Sequence, residues 1–328
     1  MDYFQPFEVP PIDSKLGCKD KVLSVGSCFS QEMGFRLVDE KFASLQHPFG
    51  TLYHPVAIAH ALTAISQDEE KAIVAHQGIY YHWLAHSTIW GNTPKEVENR
   101  YLQSKAESLS YLKDADWLII TLGSAISYRL QANDLLVANC HKQPQSAFSK
   151  HIDNPENILS SLQSMVDSVR STNRKIKFLF TISPVRHYKD GLIENNQSKA
   201  HLITALHQLI RITKDTYYFP AYELQIDHLR DYRFYKEDLV HPNKIATDMI
   251  WEQLKKAWFS EEANNQSKLW KSLNLDLAHK PLHPGSKPHL AFLEKVKQKL
   301  ETIQDKYSVT HELVEIQSQL NHFTNKTP

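Results

Sequence analysis

The stretch Lys21-Val22-Leu23-Ser24-Val25-Gly26-Ser27-Cys28-Phe29-Ser30 sets an abrupt Gly-Ser-Cys turn between an apolar run and an amphipathic segment, Gln31 to Glu40. A strand that stops at such a turn and re-enters a helix presents a side chain at the carboxyl edge of a sheet. Backbone N–H groups of the helix N-terminus then face any negative charge that develops there. Ser27 is the expected nucleophile, for attack on an acyl carbonyl. Far downstream, Glu237-Asp238-Leu239-Val240-His241-Pro242-Asn243 sets an Asp three residues before a His, just ahead of a helix beginning near Lys244. His241 would take the serine proton, and Asp238 would fix the imidazole tautomer and stabilise the imidazolium. The chain order Ser, Asp, His suits a triad on an open α/β sheet. Cys28 offers a rival thiolate nucleophile, but free cysteine is among the most buried residue types and the expectation is a small buried hydrophobe.

The elements that must position these residues follow from apolar runs of strand length alternating with helical patterns, the mark of a parallel sheet covered on both faces. Strands are expected at Val22 to Val25, at Ala43 to Leu45, at Asp116 to Leu122, at Lys177 to Ile182 and at Tyr217 to Pro220. Helices are expected at Val56 to Ile65, Lys95 to Leu112, Pro155 to Arg170, Lys199 to Thr213 and Lys244 to Trp258. The strand ends precede the candidate residues, as ligand sites beyond the carboxyl edge of an α/β sheet require. Residues 75 to 90, rich in Tyr, His and Trp, read as an irregular or hairpin insertion, and the insertion as a whole runs from about 72 to 112. The composition then marks one main domain, 1–258. Beyond it, 259–328 reads as a linker followed by a helical extension with Leu290, Leu293, Val296, Leu300 and Ile303 at helical spacing, either a hairpin or a dimerising helix.

Composition bounds the function classes. Lys+Arg and Asp+Glu both number 37, so no basic surplus points to nucleic acid. Met1 to Pro6 carries no charged and apolar leader pattern, and no run approaches the length of a membrane span. Three cysteines, Cys18, Cys28 and Cys140, lack metal-knuckle spacing and argue for a reducing, cytoplasmic setting. His82 and His86 at i, i+4 would face a metal only on a helix, and the surroundings read as irregular, so neither a metal nor a cofactor is expected. His86 with Trp90 is expected to line a pocket. Arg186 and His187, at the end of a strand on the Ser27 edge, are expected either to bind an anionic or polyhydroxylated substrate or to form an ion pair with Asp190.

Taken together, Gly26-Ser27-Cys28-Phe29, Phe49-Gly50-Thr51-Leu52-Tyr53-His54-Pro55, Thr121-Leu122-Gly123-Ser124, Ser183-Pro184-Val185-Arg186-His187 and Asp238-Leu239-Val240-His241-Pro242 resemble the GSCFA domain family, a branch of the SGNH/GDSL-type hydrolases. The resemblance runs over roughly residues 3 to 258. It implies a flavodoxin-like three-layer α/β/α sandwich and acyl-ester hydrolysis or transfer, on a small-molecule or glycan ester. Ser30 stands where the family's name motif has Ala. The turn Gly123-Ser124-Ala125 lacks the Asn that SGNH hydrolases use as an oxyanion donor. The expected oxyanion hole is therefore the Ser27 N–H, the Gly50 N–H and Ser124. The alternative is a catalytically silent binding module on the same fold.

Overall fold

The computed structural model describes residues 7–63 and 72–324. Met1 to Pro6 and the expected helix end at Ile65 lie outside the described residues. The chain divides into two compact units, residues 1–38 with 42–260, and residues 39–41 with 261–328.

The first unit is built on a five-stranded parallel sheet: β1 (Lys21–Gly26), β2 (Ala43–Gln46), β6 (Trp117–Leu122), β10 (Lys177–Ile182) and β11 (Thr216–Phe219). Its spatial order, β11-β10-β6-β1-β2, is the doubly wound 2-1-3-4-5 arrangement of a flavodoxin-like fold. The register runs Gly26 opposite Thr121 and Thr121 opposite Thr181, so three strands end at one level. All six residues of β6 are buried, which is why the run reads as continuously apolar instead of alternating.

One face of the sheet carries Leu23, Val25, Leu118, Ile120, Phe178 and Phe180 into a core shared with α2 (Pro55–Leu62), α3 (Pro94–Leu112), α4 (Pro155–Thr172) and α5 (Leu192–Ile212). On the other face, Trp117 meets Trp258 of α6 (Lys244–Trp258) edge to face at 5.2 Å. Beside α6 lies α1 (Cys28–Asp39), joined to it where Arg36 bonds Thr247 and Asp248. These are the three layers that the alternating pattern implies.

Two small antiparallel sheets complete the unit. The insertion forms β3 (Ile73–His76), β4 (Ile79–His82) and β5 (Trp90–Gly91). A second sheet, absent from the sequence reading, joins β7 (Ile126–Leu130), β8 (Leu136–Val137) and β9 (Phe148–Ile152).

In the second unit, residues 261–277, read from sequence as linker, form a helix, α7 (Glu261–Leu277). Glu261, Glu262, Lys268 and Lys271 face outward, while Ala263, Gln266, Ser267, Trp270 and Leu273 recur at helical spacing and are buried. Trp270 and Leu273 share a core with Leu293, Val296 and Leu300 of α8 (Lys287–Glu301) and Ile316 and Leu320 of α9 (Thr310–Thr324). Among the described residues no helix is long and apolar enough to cross a membrane.

Candidate active site

Strand β1 ends at Gly26 with φ +128°, and a Cβ there would stand 2.2 Å from the Thr121 carbonyl oxygen. Glycine is required because β6 passes this close and the backbone is left-handed. The next residue, Ser27, is still held to the sheet: its N–H donates to the Thr121 carbonyl (3.1 Å), and its side chain is fully buried with no protein partner for Oγ. Helix α1 begins one residue later, at Cys28.

This offset decides which side chain is accessible. Two cavities meet at Cys28 and His241, and Ser27 borders neither. The first, about 320 Å³, is lined by Phe29, Phe35, Val185 and Pro242, with Glu32 and Lys236 as its charged members besides Asp238. The second, about 350 Å³, is lined by Tyr53, Tyr128, His187, Ser124, Asn139 and Asp190 among others. The Cys28 thiol is pushed up by burial. The Cys28 N–H, Lys199, Lys236 and the Phe29 N–H all pull in the opposite direction. The two N–H groups are the first donors of α1, so the sulfur sits at the positive end of a helix.

The loop before α6 builds the other half. Asp238 Oδ1 accepts the N–H groups of Val240 and His241, both at 2.9 Å, and Oδ2 bonds His241 Nδ1 at 2.7 Å. The His241 N–H, then burial against it, then the Val240 N–H and the imidazole set the Asp238 carboxyl, and the net effect is a drop to about 2. With Asp238 ionised, the ring proton belongs on Nδ1 and Nε2 is the acceptor.

The expected oxyanion hole is not formed as the sequence suggested. Besides the Ser27 N–H, the Gly50 N–H is engaged by the His47 carbonyl at 2.7 Å, and the Ser124 N–H by the Tyr53 carbonyl at 3.1 Å. Gly50 has φ +71° and its missing Cβ would meet His86 Cβ at 2.4 Å, so it serves a tight turn against the 86–88 segment. Ser124 does border the second cavity, but its hydroxyl accepts the Ile126 N–H and shares a hydrogen bond with Ser198.

Of the four expected substrate contacts, His187 borders the second cavity, and His86, Trp90 and Arg186 border neither. Trp90 lies under the Arg100 guanidinium, His86 bonds Thr88, and Arg186 stacks on Tyr188 and Tyr235. Asp190 takes Lys150 (2.7 Å) and the Tyr128 hydroxyl (2.9 Å) in place of Arg186. His82 ends strand β4 and stacks on Tyr101 at 3.6 Å, so it shares no helical face with His86.

Sequence reasoning passed over Tyr53, whose phenol is pushed up chiefly by burial and also by Cys28. It also missed His54, which caps α2 through Nδ1 and pairs with Asp153 at 3.1 Å. The Val56 N–H donates to Nδ1, which leaves Nε2 to face the Asp153 carboxylate. A third omission is the inner face of α5, where Asn195, Ser198 and Lys199 are buried. Polar residues at i, i+3 and i+4 continuing the apolar stripe of Leu202, Ala205 and Leu206 are the signal that could have found them.

The arrangement is a doubly wound α/β domain with a thiol, an imidazole and a carboxylate at the carboxyl edge of its sheet. The chain belongs to the GSCFA family: the family's model matches residues 21–254, and the model described as GSCFA domain protein, C-terminal domain, matches residues 270–322. The terminal helices, which the sequence motifs left outside the resemblance, are thus matched as well. Among solved structures, the chain is similar to a carbohydrate esterase family 3 from Talaromyces cellulolyticus at 11% identity, covering 77% of this chain and 99% of that one, with a TM-score of 0.36. It is also similar to a Clostridium thermocellum family 3 carbohydrate esterase at 11% identity, covering 78% and 98%, with a TM-score of 0.33. No curated protein matches the chain.

Proposed function

We propose that this protein transfers or hydrolyses the acyl group of an O-acyl ester, with Cys28 in the role the sequence assigned to Ser27. The observation that carries this reading is that Cys28 and His241 border both cavities while Ser27 has no accessible surface. A nucleophile must reach its carbonyl carbon, and a side chain sealed beneath a strand end cannot.

In the reaction, His241 Nε2 takes the thiol proton as sulfur bonds the carbonyl carbon. The carbonyl π pair moves to oxygen, giving a tetrahedral oxyanion. Its collapse expels the alcohol, which His241 protonates, and leaves a thioester on Cys28. Water or a second hydroxyl then attacks the thioester, with His241 again taking the proton. Collapse of the second tetrahedral intermediate breaks the C–S bond, releasing the acid or the new ester and returning the His241 proton to the Cys28 sulfur. Donors for the oxyanion are the Cys28 N–H at the head of α1 and the Tyr53 hydroxyl in the second cavity. Aromatic Tyr53, Tyr128 and His187, set among the polar Ser124, Asn139 and Asp190, favour a polyhydroxylated alcohol portion, such as a sugar.

The test is turnover of acetylated sugars and activated esters, with mass spectrometry of the acid-quenched enzyme. Cys28→Ala is expected to lose activity about a thousandfold or more. Ser27→Ala should keep activity within a few-fold, and the quenched wild type should carry acyl on the Cys28 peptide. Loss in Ser27→Ala with activity kept in Cys28→Ala would restore the serine mechanism. Binding of the sugar ester without turnover in any form would make the chain a binding module.

A further inference from the structure

Helix α5 turns three polar residues inward, and each is tied to a different part of the cavity wall. Asn195 Oδ1 accepts the His187 N–H (3.0 Å), Ser198 Oγ accepts the Ala125 N–H (2.7 Å), and Lys199 Nζ donates to the carbonyls of Gly123 (2.7 Å) and Ser183 (2.8 Å). Gly123 and Ser183 follow directly on β6 and β10, and they lead into Ser124 and Val185, which border the cavities. Lys199 is 1% exposed. A lysine this deep is held by paired charge or hydrogen bonds, or it gives up its proton. Its two carbonyl partners are neutral.

The titratable and charged groups facing it come from four elements: Cys28 at the head of α1, His187 on the loop after β10, the Tyr222 ring at 5.8 Å, and, through Cys28, Lys236 on the loop before α6. Of these, Cys28 alone becomes an anion during the reaction. We propose that Lys199 is an electrostatic positioning residue for the nucleophile: it fastens the two strand ends beneath the cavities and sets a positive charge against the Cys28 thiolate. The inference rests on Cys28 as nucleophile. It supplies a charge complement in a site whose Gly123-Ser124-Ala125 turn carries no Asn amide. Burial lowers the Lys199 ammonium and Cys28 acts to raise it, while Lys199 acts to lower the thiol, so ammonium and thiolate stabilise each other. Through Cys28, it acts on the reacting atoms without touching substrate.

The experiment is the rate of Cys28 alkylation by iodoacetamide between pH 6 and 10.5, in wild type, Lys199→Met and Lys199→Arg, with Cys18 and Cys140 replaced by Ala throughout. Lys199→Met is expected to raise the midpoint by about one unit and slow alkylation at pH 7.5 about tenfold, and Lys199→Arg to keep or lower the midpoint. An unchanged midpoint in folded Lys199→Met would overturn the proposal. Should neither variant fold, the charge at the thiol is read with Lys199 intact, in Lys236→Gln, as the ratio of its reaction rates with anionic and cationic methanethiosulfonates at pH 6.5. A ratio several-fold above that of a free thiol supports the buried cation; a ratio equal to it would overturn the proposal. Both readouts report on the thiol whether or not the protein turns over an ester, so failure here is distinct from failure of the acyl-transfer reading.

Discussion

The two halves of the candidate site are built in opposite ways. The half that carries Cys28 is made of strand ends and a helix head, with Gly26 pressed on β6, Ser27 fully buried, and Lys199 inside the protein. The half that carries His241 is a surface loop, where the side chains of Asp238 and His241 are 48% and 40% exposed. In the first, position comes from long-range packing of elements distant in sequence. In the second it comes from three hydrogen bonds of one carboxylate to residues two and three positions away. The lesson is that the nucleophile's place is fixed by the fold as a whole, whereas the base is oriented locally and at low desolvation cost. The two halves should therefore fail under different perturbations.

Acid separates them most strongly. Burial holds His47, His141 and His187 at about 4, against 6.5 for the free side chain. A neutral histidine in the native state with a higher unfolded value means that the unfolded chain takes up protons first. Stability is full above about pH 6.5 and is lost as pH falls toward 4, by about 2 kcal/mol for each histidine at pH 5. Asp238, depressed to about 2 from 3.8, contributes stability above 3.8 that is lost only as pH falls through 2. Urea unfolding at pH 7.5, 6, 5 and 4 should show the decline well before Asp238 titrates, and His187→Gln should remove about a third of it. A flat profile down to pH 4 would mean that these imidazoles are not held neutral.

Backbone geometry gives the next largest contrast. Gly26→Ala would bring a methyl within 2.2 Å of the Thr121 oxygen at a left-handed φ, and a loss of about 3 kcal/mol or more is expected. Ser27→Ala, one residue on, removes a buried hydroxyl that has no protein partner and should change stability by less than about 1 kcal/mol. Equal effects of the two substitutions in urea titrations would contradict the placement of both.

That one-residue distinction also marks where the sequence was legible. Runs such as Lys177 to Ile182 could be read to the residue, because a strand buried on both faces leaves an uninterrupted apolar signal. The Asp238–His241 pairing was legible for a related reason: its bonds are local, so spacing alone expresses them. Which of Ser27 and Cys28 faces solvent was not legible, since it depends on the strand ladder continuing past Gly26 through the Ser27 N–H. Helix α5 was expected to start at Lys199 and begins at Leu192, because Glu194, Asn195, Asn196, Gln197 and Ser198 look like loop residues until the folded chain gives Asn195 and Ser198 buried partners. The β7–β9 sheet escaped for want of burial: beyond Ile126 and Ser127, β7 is only half buried, and much of β9 faces outward.

On the loop side, effects should fall on rate more than on stability. Asp238→Asn keeps an oxygen for the two backbone N–H groups but sets an amide donor against Nδ1. That moves the ring proton to Nε2, where the base must be free. About a hundredfold loss in kcat/KM is expected with less than about 1 kcal/mol in unfolding, since the carboxylate is surface-exposed. A loss confined to stability would deny Asp238 its orienting part.

The finest test is Leu239, which adopts φ +55° between the two members of the pair. A leucine in the left-handed region costs about 1 kcal/mol, and glycine would relieve it while adding freedom to the unfolded chain. Those two contributions oppose each other, so Leu239→Gly should shift unfolding by no more than about 1 kcal/mol. Leu239→Pro, in contrast, cannot adopt the positive φ and would remove the N–H that bonds the Lys236 carbonyl at 2.9 Å. If the loop is locally determined, Leu239→Pro should lower turnover in proportion to the lost His241 alignment and leave cooperative unfolding of the sheet near that of wild type. A global loss of stability would show instead that the loop and the strand ends fold as one unit, and the contrast between the two halves would then be one of exposure alone.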